Sequence, residues 1–118
     1  QWQELQRRQR LYGDPDRGAL VDHWLVVVDD GIATGLTVRA ALCSLRQLGP
    51  RGLVLAVPVA DRRVIADLRP LTERMLVLHP VEGLRSVGAY FDHFEPVNDQ
   101  QVLATLAAAR RRQAEAIP

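Results

Sequence analysis

Residues Val26 to Thr37 read VVVDDGIATGLT, and the fold turns on them. The three valines belong to an apolar run from His23 to Asp29 that is continuous rather than alternating, which predicts a strand buried on both faces. An acidic pair, Asp29 and Asp30, follows at the strand's exit. Gly31 permits a tight turn there, and Ala33-Thr34-Gly35 leads into a helix predicted over Gly35 to Leu48. Val38, Ala41, Leu42, Leu45 and Leu48 repeat at helical spacing, and Gly49-Pro50 ends the repeat.

The same pattern continues outward. Gly52 to Val59 is predicted as a second buried strand, and Asp61 as the N-cap of a helix that carries Val64, Ile65 and Leu68 and stops before Pro70. Met75 to Leu78 is a third short strand. Strand–helix–strand–helix–strand makes two βαβ units, hence an α/β fold on a parallel sheet with right-handed crossovers and both helices on one face. Toward the start, Trp2 to Leu11 forms a polar helix with Trp2, Leu5 and Tyr12 as its apolar stripe, broken at Gly13, Asp14 and Pro15. After an irregular stretch from His79 to Val97, Asn98 caps a last helix with Gln101 as its capping-box partner. Arg110, Arg111 and Arg112 suit that helix's C-terminal dipole.

Composition narrows the chemistry. The chain has 118 residues, 47% hydrophobic and 25% charged, with a formal charge of +1. This is the profile of one ordinary globular domain and asks for neither nucleic acid nor an anionic membrane. No apolar stretch is long enough to span a bilayer and no signal-peptide pattern opens the chain, so the expected location is cytoplasmic. All fifteen basic residues are Arg. Without Lys there is no Walker A lysine, no Schiff base and no receiver-domain lysine. Cys43, the single cysteine, is expected to be a small packing residue of its helix. His23, His79 and His93 show no metal-ligand spacing, so no protein metal site is expected.

The loop itself reads as a sugar-phosphate site. Small residues at a helix start expose successive N–H groups to an anion, and the Thr34 and Thr37 hydroxyls can donate as well. Two ionised carboxylates repel phosphate but accept from hydroxyls. There is no GxGxxG, and GIATGLT lacks the spacing of a P-loop.

Hydrophobic strand, Asp-Asp, three residues, Thr-Gly, one residue and Thr together resemble the phosphoribosyl diphosphate (PRPP) motif of type I phosphoribosyltransferases. The resemblance extends through LVLAVPVAD (Leu53–Asp61) and SVGAYFDHFEPVNDQQV (Ser86–Val102), segments similar to those of a group of bacterial phosphoribosyltransferase-domain proteins. It implies a Rossmann-like type I phosphoribosyltransferase fold, of which residues 1–118 would be the PRPP-loop, C-terminal part of a single, incomplete domain. It further implies that Asp29 and Asp30 hold the ribose 2′- and 3′-hydroxyls and serve catalysis, while Ala33, Thr34, Gly35, Leu36 and Thr37 wrap the 5′-phosphate. A nucleobase nitrogen would displace Mg²⁺-bound pyrophosphate from C1, the Mg²⁺ riding mainly on PRPP oxygens. Tyr90, Phe91 and Asp92, with His93, are the candidate base contacts.

Two positions depart from the family pattern. Ala33 replaces an Asp that some purine-salvage members offer to the base, which argues against a hypoxanthine-type mechanism, and Leu36 is bulkier than the usual Gly or Ala. Nothing before residue 20 resembles the family's pyrophosphate loop, and Gln1 is not a start methionine. The expectation is therefore an enzyme seen in part, inactive as this chain alone, with a second chain or second copy completing the sheet. The alternative is a non-catalytic PRPP- or nucleotide-sensing module.

Overall fold

The computed structural model describes residues 2–12 and 17–116. Its elements are α1 (Trp2–Tyr12), β1 (Trp24–Val28), α2 (Leu36–Arg46), β2 (Gly52–Asp61), α3 (Arg62–Leu68), β3 (Arg74–Val81) and α4 (Asp99–Ala116), with short 3₁₀ turns that include Val87–Tyr90. The chain divides into two compact units, Asp16–His93 and the pair Gln1–Pro15 with Phe94–Pro118.

The Asp16–His93 unit carries the sheet. Its three strands lie in the order β1-β2-β3, all parallel, with Trp24 opposite Gly52 and Met75 opposite Leu55. β2 is the central strand and the most buried: Leu53, Leu55, Val57 and Val59 lie in the core. The Trp24 ring lies across Gly52, where any Cβ would stand 2.3 Å from it. On one face, Val38 and Leu42 of α2 and Ile65 and Leu68 of α3 meet the β2 side chains in a single core, with Leu25, Val27, Met75 and Val77 packed against it. Both helices therefore cover the same face, as two like-handed crossovers require.

At the amino ends of the strands a carboxylate ties three elements together. Glu73 accepts from the Arg46 guanidinium of α2 at 2.6 Å and from the Leu53 N–H of β2. Those donors, Arg46 first, hold the Glu73 carboxyl below the usual range. At the other end of β2, Asp61 caps α3 as expected, accepting from the Arg63 N–H at 2.9 Å.

Three expectations need correction. β1 is not buried on both faces: Leu25 and Val27 turn toward the helices, but Trp24, Val26 and Val28 are exposed, Val28 by 72%. Leu76 and Leu78 of β3 share that open face, and a shallow hollow of about 310 Å³ lies between Ala56, Pro58, Leu76 and Leu78. A continuous apolar run requires two apolar faces; it does not supply a cover for each. Second, β3 runs on past Leu78 to Val81, into the stretch read as irregular. Third, Cys43 is exposed on α2 rather than packed.

In the other unit, Arg7 of α1 pairs with Glu4 and with Asp99 of α4, both at 2.8 Å. Asn98 and Gln101 exchange reciprocal bonds of 2.9 Å, the predicted capping box. Trp2 and Leu5 are exposed rather than forming a buried stripe. The Tyr12 side chain and the break at Gly13, Asp14 and Pro15 lie outside the described residues.

The one-sided core has a measurable signature. Leu55→Ala, at a fully buried position, is expected to cost about 2–5 kcal/mol in urea unfolding. Leu78→Ala, 75% exposed, should cost under about 1 kcal/mol in the same assay.

Candidate functional site

Where β1 ends, Ile32 returns to the sheet. Its N–H donates to the Val59 carbonyl at 3.0 Å, and its carbonyl accepts from the Asp61 N–H at 3.1 Å. This isolated parallel bridge opposite Ala60 leaves Ile32 only 3% exposed. The loop is thereby pinned to the carboxyl end of β2, the end at which parallel sheets take ligands.

Two glycines shape the loop on either side of this bridge. Gly31 does not take the left-handed backbone; the space at its Cα is closed by Val87. A Cβ at Gly31 would lie 2.6 Å from Val87 Cγ1 and 2.9 Å from Val59 Cγ1. Gly35 is left-handed with φ 78° and faces Val64, whose Cγ1 would be 2.4 Å from any Cβ. Both conformation and space reserve that position for glycine. α2 starts directly after it with no side-chain cap and no acidic residue in its first turn. Thr34 Oγ1 reaches the Leu36 N–H only at 3.5 Å. Beyond that long contact, no side-chain cap serves the first N–H groups of the helix, which lie at its positive end.

A pocket of about 200 Å³ occupies this place, walled by Asp29, residues 31–38 and Val87. Asp29, Ala33, Thr34, Gly35, Leu36 and Thr37 all line it. The Leu36 side chain is 72% exposed, so its bulk lies in solvent. Asp30 is exposed beside the pocket without lining it. Tyr90 is also exposed, Phe91 is half-buried and Asp92 is exposed. None of these three lines the pocket; from their segment it is Val87 that does. Neither Ile32 nor Val87 was singled out from sequence. An apolar residue inside an otherwise polar loop was the available signal for Ile32, and Val87 carried none.

The acidic pair is electrostatically tense. Asp29 Oδ1 accepts from the Asp30 N–H at 2.8 Å. Burial, and then the neighbouring Asp30 side chain, push the Asp29 carboxyl above its ordinary value, and that N–H only partly opposes them. Among the described residues no group of three or more His, Cys, Asp or Glu gathers as a metal site, and no helix is long and apolar enough to cross a membrane.

Fold and site together define a parallel α/β protein with a carboxylate-flanked loop and pocket at the carboxyl end of its edge strand. Comparison with known proteins gives relatives of the following kinds. Two Mycobacterium tuberculosis proteins, from strains CDC 1551 and H37Rv, each named "Putative phosphoribosyl transferase", are 37% identical over 114 residues, 96% of this chain. The crystal structure of TT1426 from Thermus thermophilus superposes with a TM-score of 0.67 and 34% identity over 86% of this chain. The chain spans 26% of the length of the curated relatives and 47% of the Thermus chain. No protein-family model matches it. The mycobacterial proteins bear that name, and this chain is similar to them along almost its whole length.

Asp30→Asn tests the tension in the pair. The folded state holds the Asp29 proton more tightly than the unfolded chain does, so stability is lost as pH rises through that raised value. Removing the Asp30 charge lowers the Asp29 pKa and recovers part of this loss. The variant is expected to unfold at a higher temperature than the parent at pH 7, and the gain should vanish in acid, where Asp29 is protonated in both. Thermal scans from pH 3 to 7 check this.

Proposed function

We propose that the loop holds the ribose 5-phosphate moiety of PRPP, and that the protein serves transfer of this moiety to a nucleobase-like acceptor. The observation that carries the reading is a single pocket in which a carboxylate faces the uncapped start of a helix. The N–H groups and hydroxyls of residues 33–37 take the 5′-phosphate; Asp29 and Asp30 accept from the ribose 2′- and 3′-hydroxyls. In the transfer, the bond from C1 to the pyrophosphate oxygen breaks and a bond from C1 to an acceptor nitrogen forms, the nitrogen's proton passing to solvent. The two carboxylates oppose the positive charge that builds on the sugar ring. Mg²⁺ carried mainly on the PRPP oxygens would neutralise charge on the leaving diphosphate.

Tyr90, Phe91 and Asp92 are proposed as the acceptor-side contacts. Ala33 offers no acid to a base, so hypoxanthine is expected to be a poor acceptor in a nucleobase screen. A second polypeptide completing the sheet, or self-association through its exposed edge, is proposed to cover the open apolar strands. Binding of PRPP without transfer, as a sensing module, is the second reading.

The direct test is the double variant Asp29→Asn, Asp30→Asn. It should keep the parent's circular dichroism and lose ribose 5-phosphate binding by about 100-fold or more in calorimetry, since each charge-assisted hydroxyl bond is of the stronger kind. Unchanged affinity in a folded double variant would contradict the assignment.

A further inference from the structure

The pocket has two walls from distant parts of the chain: the loop 31–37 and, fifty residues after it, Val87. Asp61 touches the supports of both. Its main-chain N–H donates to the Ile32 carbonyl at 3.1 Å, closing the bridge that pins the loop. One carboxylate oxygen accepts from the Arg63 N–H at 2.9 Å and the other from the Leu84 N–H at 3.2 Å. These N–H bonds, Arg63 first, hold the Asp61 carboxyl below its ordinary range, so it stays ionised and keeps both acceptors available. Gly83, left-handed at φ 65°, turns the chain so that the Leu84 N–H points back at Asp61, and the Leu84 side chain is buried. Three residues on, Val87 comes to rest on the bare Cα of Gly31, next to Ile32. The contacts form a closed circuit: Ile32 to Asp61, Asp61 to Leu84, Leu84 along the chain to Val87, and Val87 back to Gly31.

We propose that Asp61 is a positioning residue of the site, which sets the separation of the ribose-phosphate loop from the Val87 wall and so links ligand binding on the loop to the placement of the segment that carries Tyr90 and Phe91. This rests on the reading of the loop as a ribose-phosphate pocket. A helix cap alone needs one acceptor oxygen, and Arg63 occupies it. The second oxygen ties a segment that is remote in sequence and forms a wall of the pocket.

Glu73 supplies the control. It is also a carboxylate that ties a backbone N–H across elements, but it does so at the opposite end of β2. Three variants, Asp61→Ala, Asp61→Asn and Glu73→Gln, are compared by amide hydrogen exchange and by calorimetric titration with ribose 5-phosphate. The decisive amide is that of Ile32, whose acceptor is the Val59 carbonyl and not the Asp61 side chain. In Asp61→Ala, exchange at Ile32 and at Leu84 should both accelerate about tenfold and ribose 5-phosphate affinity should fall about tenfold, the size of coupling between groups in one network. Asp61→Asn has one acceptor oxygen in place of two and should fall between Asp61→Ala and the parent. Glu73→Gln should lower the unfolding temperature yet leave the Ile32 amide and the affinity at parental values.

Acceleration at Leu84 alone, with Ile32 and affinity unchanged, would reduce Asp61 to a local cap and overturn the proposal. Equal effects from Glu73→Gln would do the same, since stability and not position would then be the cause. If the parent itself binds no ribose 5-phosphate, the ligand reading fails, while the Ile32 amide still decides whether Asp61 couples the two walls. If Asp61→Ala does not fold, Asp61→Asn carries the same comparison.

Discussion

Ile32 sits at the point where an edge strand has ended and a ligand loop has begun, yet it still exchanges two main-chain hydrogen bonds with β2. A loop of small residues following β1 has few side chains with which to hold a shape, and ordering each residue costs backbone entropy. The bridge, together with an apolar side chain that is 3% exposed, removes that freedom at one residue and leaves its neighbours free to present their N–H groups outward. Gly31 and Gly35, on either side, are the places where the chain must approach Val87 and Val64 without a Cβ. The sheet, the two helices and the wall at Val87 all reach the site through these contacts.

The carboxylates of this unit divide by the work they do. Glu73 and Asp61 each accept two or more hydrogen bonds from other elements, are held below their usual pKa, and join the sheet at its two ends. Asp29 is the reverse: its pKa is raised by burial and by a like charge beside it. Such a group costs stability in the free protein, and a ligand that offers hydroxyls to it recovers part of that cost on binding. The proposed ribose contact gives this arrangement a use that a structural pairing would not.

Much of this was legible in the sequence because it is local. The helical spacing of Val38, Leu42 and Leu45, the Asp61 cap two residues before Arg63, and the Asn98–Gln101 box are decided by neighbours a few residues away. The helix-start loop was legible for the same reason. What escaped is long-range. Gly31 was read only as a turn residue; its close approach to Val87 was not seen, since no spacing rule connects the two. The second oxygen of Asp61 goes to Leu84, equally far from any local pattern. The valines of β1 showed that both faces are apolar, but coverage depends on which face the crossovers choose, and both chose the same one. Tyr90 and Phe91 were weighed as rings suited to a base, while the segment's contribution to the pocket wall comes from the plainer Val87.

The measurement that bears most directly on the account is a crystal structure of the chain soaked with ribose 5-phosphate. The account predicts the phosphate against the main-chain N–H groups of residues 33–37 and the ribose hydroxyls toward Asp29 and Asp30. A phosphate bound elsewhere, for instance between Arg62 and Arg63, with the loop 31–37 empty, would contradict it.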